Sequence, residues 1–465
     1  MPRTKSPLGR IGKVVAIATA VFFTLAAIAV LRTGLVPLRY MAIILPISLV
    51  GIGVITLGQF SKKASNARRI VLLVISLLVL FVSAYIYSSA QSLTAFLSNI
   101  QQSAYTYETY SIIAEKSRHM SLTSAKSAAM LSTDTYLNEA KEGLKTKTAA
   151  APQDYSNTTS IILALEQNDA DTAVLSDGYM QLVEDNYAKF YSDIEVLATF
   201  QIRIKHDKES TDVDATKPFV VYISGIDTYG SVSTVSRSDV NMLAVVNPTT
   251  HQMLLVNTPR DYYVQLHGTS GTRDKLTHAG TYGIGMSRRT LEDLYHTKID
   301  YYLRINFSSL VNIVDTLGGV DVYSDYDFKS FTKGRNHLNG KQALAFSRER
   351  YSFSEGDRQR GRNQQHVIEA IIAKMSDPQN LLRYRSILTS LQGAIQTDMS
   401  TPLLTQLANN QLDNMKQWSI ESIDVDGTGK MAPTYSMGSL PLYVMVPDQK
   451  SLTSAQEKIT LYLAE

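Results

Sequence analysis

Five arginines fall within one short stretch, at Arg348, Arg350, Arg358, Arg360 and Arg362, interrupted by Ser354-Glu355-Gly356-Asp357. Planar, permanently charged guanidinium forks at this density suit phosphate oxygens, which they grip in pairs. A run of this kind can also be a solvated basic helix face, and spacing separates the two readings. A helix beginning at Asp357, a favoured N-cap type, puts Arg360, Gln364, Val367, Ile368 and Ile371 on one stripe. The apolar end of that stripe must face a core. Arg360 and Gln364 therefore point inward at the helix N-terminus, where unpaired backbone N–H groups already favour an anion. Arg358 and Arg362 continue into His366 and Glu369 and read as surface.

Two carboxylates and further arginines come from an upstream segment. Phe219 to Ile226 is a β-branched apolar run that reads as a buried strand ending at Asp227. A Gly- and Ser-containing loop closes with Arg237-Ser238-Asp239. Val240 to Val246 is a second strand, Asn247 to Gln252 a turn containing Pro248, and Met253 to Asn257 a third strand leading to Arg260. A chain that leaves the sheet at Asp227, returns at Asp239, turns at Pro248 and leaves again at Arg260 gathers all three at one sheet end. Ligands commonly sit beyond such strand ends. Asp227 and Asp239 offer hard oxygen ligands for Mg²⁺ or Mn²⁺, although each alone also reads as a turn residue. Asp239 is in addition the candidate general base, with the reservation that a metal-bound carboxylate is a poor one.

The rest of the C-terminal half supplies the elements that hold these groups. We expect a helix over Ala279 to His296, a strand over Tyr301 to Ile305, and a helix over Phe307 to Leu317 stopped by Gly318-Gly319. A strand over Val320 to Tyr323 follows, then a helix over Lys341 to Phe346 that delivers Arg348 and Arg350. Helices around Leu381 to Leu391 and Pro402 to Leu412, strands near Ser419 to Val425 and Leu440 to Val446, and a helix from Ser451 to Leu463 complete the domain. The expected architecture is α/β: a three-layer α-β-α domain with a mixed central sheet over residues 213–465.

Three charge-free apolar runs, Val14 to Leu31, Met41 to Leu57 and Ile70 to Tyr87, are each long enough to span a bilayer. Basic residues crowd the N-terminus (Arg3, Lys5, Arg10, Lys13) and the second loop (Lys62, Lys63, Arg68, Arg69). The positive-inside rule makes both cytoplasmic and places everything after about Ser88 outside the cell, as a multi-pass membrane protein. Residues 1–88 form the anchor on this reading, and residues 89–212 a small α/β accessory domain. In it Ala125 to Met130 and Tyr136 to Leu144 read as helical, Tyr110 to Ile113 and Ala173 to Leu175 as strands, and Lys145 to Ser156 as a loop. The charged, aperiodic stretch His206 to Lys217 reads as the linker to the last domain.

Composition excludes several chemistries. Of the 465 residues none is cysteine, so there is no disulfide, thiolate zinc site or cysteine nucleophile. The net charge of +3 gives no argument for nucleic acid, and the predicted topology keeps the basic cluster away from the chromosome. There is no Gly-x-Ser-x-Gly, Gly427-Thr428-Gly429-Lys430 lacks the first glycine of a P-loop, Gly283-Ile284-Gly285 is better read as a turn than as a nucleotide loop, and none of the eight histidines forms a metal-ligand pair.

Taken in order, Gly225-Ile226-Asp227, Arg237-Ser238-Asp239, Pro259-Arg260-Asp261, Leu317-Gly318-Gly319-Val320-Asp321-Val322, Leu338-Asn339-Gly340 with Ala343-Leu344, Arg348-Glu349-Arg350 and Asp357 through Gln365 resemble the motif series of the LytR-CpsA-Psr family. The three spans and accessory domain look like its streptococcal capsule-associated branch. The resemblance implies a membrane-anchored phosphotransferase that moves a glycopolymer, here capsular polysaccharide, from undecaprenyl pyrophosphate to peptidoglycan, alongside capsule assembly proteins. It implies that Arg237, Arg260, Arg348, Arg350 and Arg360 hold the pyrophosphate with support from Gln364. Asp227 and Asp239 would hold Mg²⁺, and Asp357 would orient arginines. Asp239, Arg260, Arg348 and Arg350 are the expected catalytic set. Two alternatives stand beside transfer: hydrolysis of prenyl pyrophosphates at the same site, and a non-enzymatic lipid-binding regulator of capsule assembly.

Overall fold

The computed structural model describes residues 7–34, 36, 38–61, 64–101, 105–205, 214–226, 232, 235–377, 395–414 and 416–464. They form two compact units. The first contains three N-terminal helices, Pro7–Thr33, Leu38–Phe60 and Asn66–Gln101, and the helix Thr401–Asn414. The three N-terminal helices are long and apolar enough to cross a membrane, over 26, 23 and 30 residues. Their outward side chains, among them Val14, Ile43, Val50 and Phe81, are more than half exposed, which water would penalise and hydrocarbon would not. Inside this unit Thr19 Oγ1 donates to Ser76 O at 3.0 Å, linking the first and third helices. The helix Thr401–Asn414 joins them through an Arg39–Asp413 ion pair of 2.6 Å and a 2.7 Å bond from Asn409 Nδ2 to Gly34 O. The expected helix at Pro402 to Leu412 therefore exists, but it belongs to the unit of the N-terminal helices. The expected helix at Leu381 to Leu391 and most of the expected linker lie outside the described residues.

Among the described residues the second unit holds two large sheets and three two-stranded ones. The first has five strands in the spatial order Ala151–Tyr155, Ser127–Leu131, Thr172–Ser176, Tyr105–Glu115 and Ile194–Lys205. Its first three strands run parallel, and Tyr105–Glu115 is antiparallel to both of its neighbours. Two expectations fail here. Ala125 to Met130 is not helical: Ser127–Leu131 is a strand whose last four residues are buried. Alanine's helix preference loses because a small side chain also fits a strand closed on both faces. Lys145 to Ser156 is not all loop, because it contains the edge strand Ala151–Tyr155. Four of that strand's five residues are exposed, so no apolar alternation marks it in the sequence.

The second sheet has six strands, ordered Ile395–Thr397, Tyr301–Asn306, Phe219–Ile226, Ser238–Asn247, Gln252–Thr258 and Ser419–Asp424. The three central strands form an antiparallel meander, while Tyr301–Asn306 is parallel to Phe219–Ile226, and Ser419–Asp424 to Gln252–Thr258. All eight residues of Phe219–Ile226 are buried, as a strand covered on both faces requires. On one face Val220, Tyr222, Leu243, Val245, Leu254 and Val256 pack with Leu291, Tyr295, Leu452 and Ile459 of the helices Ile284–Tyr295 and Gln449–Ala464. The other face carries the helices Phe307–Thr316, Gly340–Arg348 and Asp357–Met375. The architecture is thus α-β-α with a mixed sheet. The core does not stop at this domain: Ile113, Leu131, Ile161, Leu175 and Tyr179 of the five-stranded part belong to the same apolar cluster.

Local departures from expectation have simple causes. Ala279 to His296 is not one helix. A short helix Leu276–Ala279 and a single turn Gly280–Tyr282 precede Ile284–Tyr295, and the break falls at Gly283, whose φ of 98° belongs to glycine. Gly427 to Lys430 lies in the strand Gly427–Thr434, which pairs with Gly438–Pro447 as a hairpin and forms no nucleotide loop.

Candidate functional site

The antiparallel and parallel pairings bring several chain segments to one end of the six-stranded sheet. Ile226 is opposite Ser238 and Asn306, and Asn241 is opposite Thr258, so the segments carrying Arg237, Asp239, Arg260 and Phe307 all emerge there. Asn306 caps the helix Phe307–Thr316 by accepting from Ser309 N at 2.9 Å. Asn339 and Gln342 form a capping box at the start of Gly340–Arg348. That helix ends with Arg348 at the same sheet end. Glu349 then turns the chain, its Oε1 accepting from the backbone N–H groups of Tyr351 and Ser352 at 2.8 and 2.9 Å, and so places Arg350.

The helix Asp357–Met375 supplies the remaining cation. Its N-cap is Gly356, at φ 52°, and Asp357 is its first residue. The Asp357 carboxylate pairs with Arg360 Nη2 at 2.6 Å. Arg360 and Val367 are buried on the face expected to point inward. Gly361 lets this helix approach the sheet, since a Cβ there would lie 2.2 Å from Asn257 Nδ2. Arg358 and Arg362 turn elsewhere, to Asp426 and to Glu355 and Asp424.

These elements enclose a cavity of about 530 Å³. Arg237, Asp239, Arg260, Arg348, Arg350, Arg360 and Gln364 all line it. Asp357 stands behind Arg360 and Arg260, its Oδ1 lying 3.9 Å from Arg260 Nε. Asp227 lies outside the described residues. The sequence does not point to Lys275, Thr277 and His278, which line the cavity from the segment before Gly283, nor to Asp185 and Asn186, which reach it from the five-stranded part. No periodicity or motif marks them. The nearest signal is the run Asp274-Lys275-Leu276-Thr277-His278, a cluster of polar types between glycines.

Arg260 is the hub of the charged wall. Its Nη1 donates to Asp239 Oδ2 at 2.8 Å, and its Nε lies 3.9 Å from carboxylate oxygens of Asp261 and Asp357. Thr277 Oγ1 donates to the other Asp239 oxygen at 3.0 Å. Burial alone would raise the Asp239 carboxyl, but Arg260, Arg360 and Arg237 hold it down to about 2. Burial pushes the Asp357 carboxyl up against the opposing pull of Arg360 and Arg260. Arg237 pairs with Asp185, and Ser236 Oγ donates to Gln181 Oε1 at 2.9 Å, so the helix Asp177–Asn186 braces the arginine loop. Arg348 stacks 4.2 Å from the Phe307 ring centroid, and Arg350 Nη2 donates to Tyr351 Oη at 2.7 Å.

Six cations therefore face the cavity against the two carboxylates Asp185 and Asp239. The Nε atoms of Arg237, Arg260 and Arg360 are buried without a hydrogen-bond partner among the described residues. Such orphaned donors are costly unless a ligand offsets them. Phe307, Leu310, Leu344, Val367 and Ile368 make another part of the same wall apolar. Cationic and apolar groups thus share one wall, an arrangement that can take both negative charges and hydrocarbon.

The LytR_cpsA_psr family profile matches residues 187–459. A Bacillus cereus protein named polyisoprenyl-teichoic acid–peptidoglycan teichoic acid transferase TagU is 32% identical over 256 residues, 53% of this chain and 83% of that protein. An Enterococcus faecalis protein of the same name is 32% identical over 282 residues, 58% of this chain and 89% of that one. The crystal structure of Bacillus subtilis TagV superposes with a TM-score of 0.46 at 26% identity, covering 54% of this chain and 98% of that chain.

Proposed function

The chain belongs to the LytR_cpsA_psr family, and from that premise we propose that it transfers a glycopolymer from a polyprenyl pyrophosphate carrier to peptidoglycan, with capsular polysaccharide as the polymer. One observation carries the reading: a single cavity joins six cationic side chains to an apolar wall, matching a diphosphate attached to a long isoprenoid. Arg237, Arg260, Arg348, Arg350 and Arg360 bind the diphosphate oxygens, with Gln364 beside them. Leu310, Leu344 and Ile368 receive the first isoprene units. The relatives named as teichoic acid transferases support transfer to peptidoglycan. The accessory part and three N-terminal helices support the capsule-associated branch. The basic N-terminus and second loop support cytoplasmic placement of both, which puts the cavity outside the cell.

Catalysis on this reading is positioning and electrostatics. An acceptor hydroxyl of peptidoglycan attacks the sugar-side phosphorus, and polyprenyl phosphate leaves. The arginines spread the charge that builds on the nonbridging and leaving oxygens. The Arg260–Asp239 and Arg360–Asp357 pairs fix two of the forks before substrate arrives, so little reorganisation accompanies the reaction. Asp239 fits the expected divalent ion: it is held ionised, and each carboxylate oxygen keeps a lone pair beyond the one hydrogen bond it accepts. With Asp227 it would hold Mg²⁺ or Mn²⁺, which would neutralise phosphate charge.

The test incubates the full chain, in detergent or nanodiscs, with lipid-linked polysaccharide and a peptidoglycan acceptor, and analyses the products. Wall-linked polymer plus polyprenyl phosphate is the expected result. Free polymer alone would mean hydrolysis. Donor binding with no turnover would mean a lipid-binding regulator.

A further inference from the structure

Attack by a hydroxyl needs a group to take its proton, and a wall dominated by cations offers few. Asp239 is unsuited, because both of its oxygens already accept hydrogen bonds, one from Arg260 Nη1 at 2.8 Å and the other from Thr277 Oγ1 at 3.0 Å. A carboxylate clamped in this way is poorly placed to take the proton of an incoming hydroxyl.

His278 lies on the same cavity wall, one residue beyond the threonine that donates to Asp239. Its Nδ1 is 2.7 Å from Asp274 Oδ1 and 2.9 Å from Ser436 Oγ. Asp274 is fully buried and cannot swing away. Its Oδ1 also accepts from the Lys275 backbone N–H at 2.7 Å, and its Oδ2 from that of Ser436 at 2.8 Å. A carboxylate only accepts hydrogen bonds, so the hydrogen of a neutral imidazole here sits on Nδ1 and the lone pair on Nε2. Nε2 is bonded to no described residue. His278 is 3% exposed and is one of the residues that line the cavity.

We propose that His278 is the general base of the transfer, positioned by Asp274. The assignment rests on the polymer-transfer reading above. Nε2 takes the proton of the acceptor hydroxyl as its oxygen bonds to the sugar-side phosphorus. The bond from that phosphorus to the bridging oxygen breaks, and its electron pair leaves with polyprenyl phosphate. The imidazolium, stabilised by Asp274, then releases the proton to the departing phosphate or to water.

A purely structural role is the competing account, since Asp274, His278 and Ser436 also staple the Gly427–Pro447 hairpin to the segment before Gly283. His278→Asn separates the two: an asparagine amide can still donate to Asp274, but nothing replaces Nε2. With the full chain, lipid-linked donor and peptidoglycan acceptor, we expect kcat to fall about 10²- to 10⁴-fold, with donor binding within about threefold of wild type and the melting temperature nearly unchanged. Asp274→Asn is the second variant. Its amide can donate to Nδ1, moving the hydrogen to Nε2, and kcat should fall by a similar factor with donor binding retained. A kcat within threefold of wild type in either folded variant overturns the assignment, as does donor binding lost in proportion to kcat. Wild-type protein that makes no wall-linked polymer would instead overturn the transfer reading on which it rests.

Discussion

Replacing Arg260 by methionine tests the charged wall at its most connected point. Arg260 bonds Asp239 at 2.8 Å and lies within 3.9 Å of Asp261 and Asp357. Its loss leaves buried carboxylates facing one another, and breaking a buried pair in this way costs about 3–5 kcal/mol. For a unit of this size that is a drop of roughly 4–7 °C in melting temperature. Loss of its charge-assisted bonds to phosphate, worth about 1.5–3 kcal/mol, should weaken donor binding by roughly 10- to 150-fold. The stability effect also has a pH signature. The folded Asp239 carboxyl lies near 2, below its unfolded value, so its contribution of about 2 kcal/mol is complete above pH 4 and is lost as pH falls toward 2. The gap between wild type and Arg260→Met should narrow over that window.

Arg350→Ala is the control that separates binding from folding, because among the described residues Arg350 bonds only its exposed neighbour Tyr351. It should lose donor affinity to a similar degree with its melting temperature unchanged. The assays are thermal unfolding across pH and fluorescence titration with a labelled polyprenyl pyrophosphate. A folded Arg260→Met protein that binds this ligand within threefold of wild type would refute the reasoning.

Two further outcomes follow from other parts of the structure. Burial raises the Glu108 carboxyl in the five-stranded sheet to about 8, with Asp134 adding to the shift. A neutral Glu108 costs nothing at low pH, and stability falls as pH rises from about 4.5 through 8. Glu108→Gln should therefore match wild type at pH 4.5 and exceed it at pH 9 in chemical denaturation, and a pH-independent difference would contradict this. Leu344→Trp fills the apolar wall of the cavity. It should weaken binding of a long-chain prenyl pyrophosphate by about 5- to 150-fold, the equivalent of 1–3 kcal/mol of overpacking. Binding of inorganic pyrophosphate should not change. Equal losses for both ligands would place the hydrocarbon elsewhere.

What the sequence discloses about this molecule divides along physical lines. The inward placement of Arg360 is legible because Val367, two turns on, is apolar and ties that stripe to the core. The strand ends at Arg237 and Arg260 are legible because β-branched runs stop there against Gly, Pro and Asp. The roles of Lys275, His278 and Asp185 are not, because each reaches the cavity through tertiary contacts that leave no period in the chain. Asp274 looks like any loop aspartate until Ser436, 162 residues later, is seen to cap it. The strand Ser127–Leu131 is hidden for a different reason: alanines fit helix and buried strand alike, and only neighbouring strands decide between them. Asp357 shows the limit of local rules. Its type favours capping, but a nearby arginine competes for the carboxylate and Gly356 takes the cap.

The central claim is that this cavity holds a prenyl-linked diphosphate, and mass spectrometry of lipid extracted with the full chain tests it most directly. Wild-type protein should carry polyprenyl phosphate or pyrophosphate species that Arg350→Ala protein, equally folded, does not retain. Ordinary phospholipid alone, present at the same level in both proteins, would contradict the account.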